Sequence, residues 1–187
     1  MAQSVARSPD AYGVTGDQAL VLVRGCSGSG KRSLAKRWLK HCKRVEADTV
    51  AYGGQQHFEK PAGDSLMFRR AVRWSLEATT AFLEAGDSVA VCITLLSESS
   101  LLPWLQLAEQ RRVRFAVIEC HGEFKNQHGL PAHYIAQQRE DFEPAESLAS
   151  VGVPVLCGEE VADAELLAKA PVPLPLNWMS ALARSRA

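Results

Sequence analysis

The sequence predicts an α/β fold, a parallel β-sheet flanked by helices on both faces, and three observations carry the prediction. Short apolar, β-branched runs alternate along the chain with segments of helical period, the order that builds a parallel sheet. The strongest of these runs, Ser88 to Leu96, is apolar almost throughout rather than alternating, as suits a central strand covered on both faces. The first run ends in a glycine-rich turn that leads directly into a helical segment.

Taken in order, residues 1–18 are small and polar without periodicity and read as an N-terminal extension. Ala19 to Val23 forms the first strand. From Lys31 to Lys43, Leu34, Ala35, Trp38, Leu39 and Cys42 recur at three- and four-residue spacing between basic residues, a helix lying on a sheet. A second strand covers Arg44 to Val50, and the glycine-rich stretch from Ala51 to Asp64 is a loop at the sheet edge. Asp64 and Ser65 cap a helix from about Leu66 to Ala85, with Phe68, Val72, Leu76, Thr79 and Leu83 on one face and Gly86 beyond its end. After the central strand come a helix from Ser99 to Arg111, a strand from Arg114 to Cys120, a helix from Pro131 to Glu143 and a short strand from Val153 to Leu156. Pro171, Pro173 and Pro175 interrupt both kinds of element and set apart Leu176 to Arg184, a helix that either packs back on the domain or forms a dimer contact.

With 187 residues the chain suits a single core, too short for two full domains. Apolar residues at 47% and charged residues at 22% argue against disorder, collagen and coiled coil. Lysine plus arginine (21) balances aspartate plus glutamate (21), which disfavours a uniformly basic nucleic-acid binder but permits a local basic groove. No apolar run approaches the roughly 20 residues of a membrane span and the N-terminus lacks a signal-type apolar block, so a cytoplasmic location and no membrane partner are expected. Cys26, Cys42, Cys92, Cys120 and Cys157 are odd in number and widely spread, and read as small buried hydrophobes.

Gly25-Cys-Ser-Gly-Ser-Gly30-Lys31 satisfies G-x-x-x-x-G-K between a predicted strand and a predicted helix, where backbone N–H groups and a helix N-terminus wrap a phosphate. Gly25, Cys26, Ser27, Gly28, Ser29, Gly30, Lys31, Arg32 and Ser33 are therefore the candidate ATP-contacting residues, with Lys31 directed at the β- and γ-phosphates.

Four blocks are similar to the AAA-type P-loop kinase family that contains the kinase half of phage polynucleotide kinase, over about residues 19–145. They are Leu22 to Lys31; Glu46-Ala-Asp48-Thr49; Val89 to Thr94; and Lys125-Asn-Gln-His128-Gly-Leu-Pro131 with the following Ile135 and Phe142. The resemblance implies a P-loop kinase domain over residues 19–157 with a small lid at about 121–143, and a C-terminal extension over 158–187. It implies ATP and Mg2+ as cofactors, Asp48 as the base that takes the acceptor hydroxyl's proton, Lys125 as the lid cation, and His128 as a nucleotide contact or a brace for its loop. A carboxylate after strand two suits that role because an alcohol is a poor nucleophile at neutral pH.

The chain departs from the family pattern at three places. Arg32 replaces the hydroxyl that follows the loop lysine, so that either Ser33 serves as the magnesium ligand or the ion is held mainly by phosphates and water; Cys92 and Ile93 replace an aspartate and asparagine; Thr49 replaces the second aspartate of a pair. Arg69, Arg70 and Arg73, and separately Arg111, Arg112 and Arg114, form clusters with Trp74 and Trp104 nearby that suit a nucleic-acid backbone path with stacking aromatics. Phe58, in the glycine-rich loop, is a further acceptor contact.

The resemblance implies transfer of the γ-phosphate of ATP to a hydroxyl on nucleic acid, DNA foremost. The acceptor is either the hydroxymethyl group of 5-hydroxymethyluracil in phage DNA or a polynucleotide 5′-hydroxyl. The alternatives are a catalytically weakened ATP-binding module and a small-metabolite kinase of the same fold.

Overall fold

The computed structural model describes residues 18–47, 65–125, 129–158, 171–175 and 178–185. Five strands, β1 (Ala19–Gly25), β2 (Lys43–Glu46), β3 (Val89–Ile93), β4 (Arg114–Cys120) and β5 (Val155–Cys157), form one parallel sheet in the order β2-β3-β1-β4-β5. The first helix, α1 (Lys31–Trp38), follows β1 directly. Further along come α2 (Ser65–Glu84), α3 (Leu102–Arg111), α4 (Ala132–Glu140), α5 (Glu146–Ser150) and α6 (Trp178–Ser185), with a 3-10 turn at Glu98–Leu101 before α3.

The alternation of side chains along β1 divides the core. Val21 and Val23 face α1, packing with Ala35, Leu39 and Ile118. Leu20 and Leu22 face the opposite side, where α2, α3, α5 and α6 deliver Ala71, Trp104, Leu105, Leu148 and Trp178. Strands β1, β3 and β4 are buried on both faces, which accounts for the apolar run of β3 and for the mostly apolar residues of β1 and β4.

Several boundaries move from those the sequence suggests. The first helix stops at Trp38 rather than Lys43, because Lys43 already donates its N–H to Ser88 and pairs with Val89 at the start of β2. Cys42 is still buried on the α1 side, so its helical spacing reports burial and not helix. The central strand ends at Ile93, and α4 ends at Glu140, leaving Phe142 outside it. Helix α5 and the antiparallel bridge between Phe115 and Val172 have no counterpart in the sequence reading. The predicted loop at residues 51–64 lies outside the described residues.

The proline-rich segment runs alongside β4 through that bridge, and α6 packs on the core through Trp178 and Leu182. Four cysteines are buried and Cys157 is half-buried, and none of the five is in a disulfide. No helix among the described residues is long and apolar enough to cross a membrane.

Because Trp178 is almost wholly buried, Trp178→Ala should cost about 3–5 kcal/mol of stability. Urea unfolding would show this as a lower midpoint in a single transition; a loss below about 1 kcal/mol would mean that α6 is a loosely held appendage.

Candidate phosphate-binding site

All five strands point the same way, so their carboxyl ends form one edge of the sheet, where crevices in such folds lie. A cavity of about 100 Å³ opens there, bounded by Ser27 to Ser33, Glu46, Cys92, Phe124 and Lys125. Its floor is the turn between β1 and α1. Gly30 caps α1 in the left-handed region at φ 93°, and a Cβ there would lie 2.8 Å from Cε2 of Phe124. Gly25 lies against β4 so closely that a Cβ would meet the Cys120 carbonyl oxygen at 2.3 Å. Gly25 is required by conformation and by space together; Gly30 is required by its left-handed conformation, and a side chain there would also displace the exposed Phe124 ring.

Lys31 is buried, and its Nζ donates to the carbonyls of Gly25 and Cys26 at 2.8 and 2.7 Å. Its positive charge thus sits at the start of α1, beside the N–H groups of the first helical turn, a concentration of donors and cation suited to phosphate oxygens. The Cys26 side chain turns away from the cavity and donates to the Gln138 carbonyl, while the Ser27 N–H donates to Gln138 Oε1 at 2.8 Å. Burial pushes the Cys26 thiol above its usual pKa despite nearby Lys31, so it is no activated nucleophile.

Arg32, the second residue of α1, projects along the cavity wall, and its Nε meets Glu46 Oε2 at 2.7 Å. The same carboxylate faces Arg44 at 3.4 Å. Phe124 donates its N–H to the Gly28 carbonyl at 2.9 Å and lays its ring over Gly30 and Gly122 while staying 68% exposed. Lys125 is exposed and also lines the cavity.

Beneath the loop, Arg24 is fully buried at the end of β1. It donates to the carbonyls of Leu96 and Glu143, lies 3.7 Å from Glu119, and stacks 4.3 Å from the ring centre of Phe142. Burial lowers its pKa, opposed by Glu119, Glu98 and Glu143. Glu119 also accepts the Ala145 N–H, Glu143 accepts the Glu98 N–H, and Glu98 accepts the Leu148 N–H. The guanidinium thereby ties the exits of β1, β3 and β4 to the segment that joins α4 and α5.

Among residues singled out by sequence, Ser27 to Ser33 and Lys125 line one cavity, while Gly25 and Cys26 hold Lys31 through their carbonyls. Asp48, Phe58 and His128 lie outside the described residues. Arg69, Arg70 and Arg73 are exposed on the first half of α2, whose later end feeds the amino end of β3; they therefore lie toward the cavity edge of the sheet. Arg111, Arg112 and Arg114 sit at the start of β4, the opposite edge, and Trp104 is buried in the core, so neither can serve a path beside this cavity. Glu46, Phe124, Arg24 and Gln138 were not read as site residues. Of these only Arg24 carried a signal, a charge inside an apolar run.

The described wall does not fit a magnesium ion held by protein. Ser33 supplies an exposed hydroxyl, but Glu46, the wall's carboxylate, is shared by two guanidiniums, and Cys92 offers sulfur where a hard cation needs oxygen.

A parallel sheet with a glycine loop and lysine at its carboxyl edge defines a P-loop kinase-like α/β fold. The chain belongs to the AAA domain family, whose model matches residues 20–124. Solved structures that share the fold include two kinases. A candidate kinase from Chloroflexus aurantiacus j-10-fl is 13% identical at a TM-score of 0.57, covering 82% of this chain and 96% of that one. A gluconokinase from Sinorhizobium meliloti 1021 is 18% identical at a TM-score of 0.50, covering 89% and 93%. No curated protein matches the chain by sequence.

Two substitutions test this architecture. Gly30→Ala should abolish nucleotide binding in a chain that still folds, since it strains the cap and drives a methyl into Phe124; retained binding of a fluorescent ATP analogue would show the turn to be adaptable. Arg24→Ala should cost about 3–5 kcal/mol in urea unfolding by stranding Glu119 in the interior, and Glu119→Gln added to Arg24→Met should recover much of that loss.

Proposed function

We propose that the chain is an ATP-dependent phosphotransferase acting on a hydroxyl of nucleic acid. The observation that carries the reading is the cavity at the carboxyl edge of the sheet, where the glycine loop, the start of α1 and the buried Lys31 converge. In the proposed reaction the acceptor oxygen attacks the γ-phosphorus, the bond to the β–γ bridging oxygen breaks, and ADP departs. Asp48 accepts the hydroxyl proton; Glu46, two residues earlier, lines the cavity, so the chain leaves β2 at its wall. Lys31 and Lys125 offset charge on the transferring group. His128 serves the nucleotide side.

Nucleic acid as the acceptor is supported by the exposed first half of α2. Phe68, Arg69, Arg70, Arg73 and Trp74 are all exposed there, placing guanidiniums for backbone phosphates beside rings for bases. Two acceptor hydroxyls suit this surface, the hydroxymethyl group of 5-hydroxymethyluracil and a polynucleotide 5′-end.

The test is transfer of labelled phosphate from ATP, with and without magnesium, to 5′-hydroxyl oligonucleotides, end-blocked duplexes containing 5-hydroxymethyluracil, and free nucleosides. Label should enter one nucleic-acid acceptor and fall at least about a hundredfold in Lys31→Ala and Asp48→Asn. Label confined to nucleosides would point to a small-molecule kinase, and ATP binding with no transfer to a binding module.

A further inference from the structure

We propose that Arg32 makes the phosphate site metal-sparing: its guanidinium takes the place of a divalent cation against the nucleotide's terminal phosphates, so the free nucleotide binds at least as well as its magnesium complex. The inference rests on reading the cavity as a nucleotide site and names the chemical form that the site takes.

Four observations lead to it. Arg32 lies one residue after the loop lysine, at the start of α1, and its side chain forms part of the cavity wall. The Nε contact with Glu46 at 2.7 Å holds the guanidinium along that wall instead of letting it extend into bulk water, although the side chain remains 43% exposed. Glu46 is shared with Arg44, so it does not cancel the positive field of the corner. Among the described lining residues, Lys31, Arg32 and Lys125 are cations and Glu46 is the carboxylate.

That wall distinguishes two forms of the same nucleotide. Free ATP brings its full negative charge to a cationic surface, and a guanidinium presents parallel N–H donors that match phosphate oxygens in pairs. In the magnesium complex the ion offsets part of that negative charge, so the same surface attracts the complex less. Its ion requires near-octahedral oxygen coordination, yet the wall's carboxylate is already spanned by guanidiniums. A hydroxyl at position 32 could supply an oxygen ligand to the ion, whereas a fixed cation repels it.

The experiment is calorimetric titration of the full chain with ATP, in excess EDTA and in excess magnesium at matched ionic strength, for the wild type, Arg32→Ser and Arg32→Lys. Wild-type affinity in EDTA should be within about threefold of that in magnesium, or tighter. Arg32→Ser should lose about tenfold or more in EDTA and little in magnesium, reversing the preference, while Arg32→Lys, which keeps charge without the fork, should fall between. A wild type that weakens by more than about threefold on removing magnesium, or an Arg32→Ser affinity unchanged in EDTA, overturns the inference and leaves the nucleotide site standing. No ATP binding by the wild type in either buffer overturns both.

Discussion

Arg24 sits at the end of β1 with none of its surface exposed, one residue before the phosphate loop begins. A charge in that position has to be met on several sides at once, because an uncompensated buried ion costs more than most single contacts return. Carbonyls come from the exits of β3 and the α4–α5 connection, a carboxylate from β4, and an aromatic face from Phe142. Its Nε and Nη1 have no hydrogen-bond partner among the described residues, so the ring and the nearby carboxylate supply much of what holds it. The spacing of the carboxyl ends of β1, β3 and β4 is therefore set from below, and the loop above inherits a rigid seat.

On that seat the glycines act as contacts more than as hinges. Gly25 brings β1 against the Cys120 carbonyl, and Gly30 lets the Phe124 ring rest on the helix start, so the loop is held from both flanks. Gln138 adds a third hold by accepting the Ser27 N–H. The result is a preorganised donor array whose charge is decided at its rim by the competition of Arg32 and Arg44 for Glu46. The charge of that rim is thus set where the second residue of α1 meets the last residue of β2.

Much of this was legible in the residues themselves. The strand, glycine turn and helix from Ala19 to Trp38 could be read because apolar run, glycine spacing and helical period each act locally. Helix α2 declared its stop at Gly86, which adopts φ 87°. The short α5 and the Phe115–Val172 bridge could not be read, since five residues carry too little periodicity and a bridge depends on what lies across the sheet. Trp104 shows the limit for the site: adjacency to arginines in sequence suggested a stacking surface, but its helix turns it into the core.

The sequence by itself determined the alternation of strand and helix, the parallel sheet that follows from it, and the phosphate loop with Lys31 at the start of a helix. The alternation and the loop depend on neighbours within a few residues, where backbone conformation and side-chain period dominate, and strands joined by helices pair in parallel. Only the tertiary structure decided that Glu46 would face Arg32, that the Arg69–Arg73 cluster and not Arg111–Arg114 would share the cavity's edge of the sheet, and that Arg24 would brace the loop from beneath. Those outcomes follow from strand order and from which end of each strand meets the crevice, and such relations are set by packing between segments that the chain keeps apart.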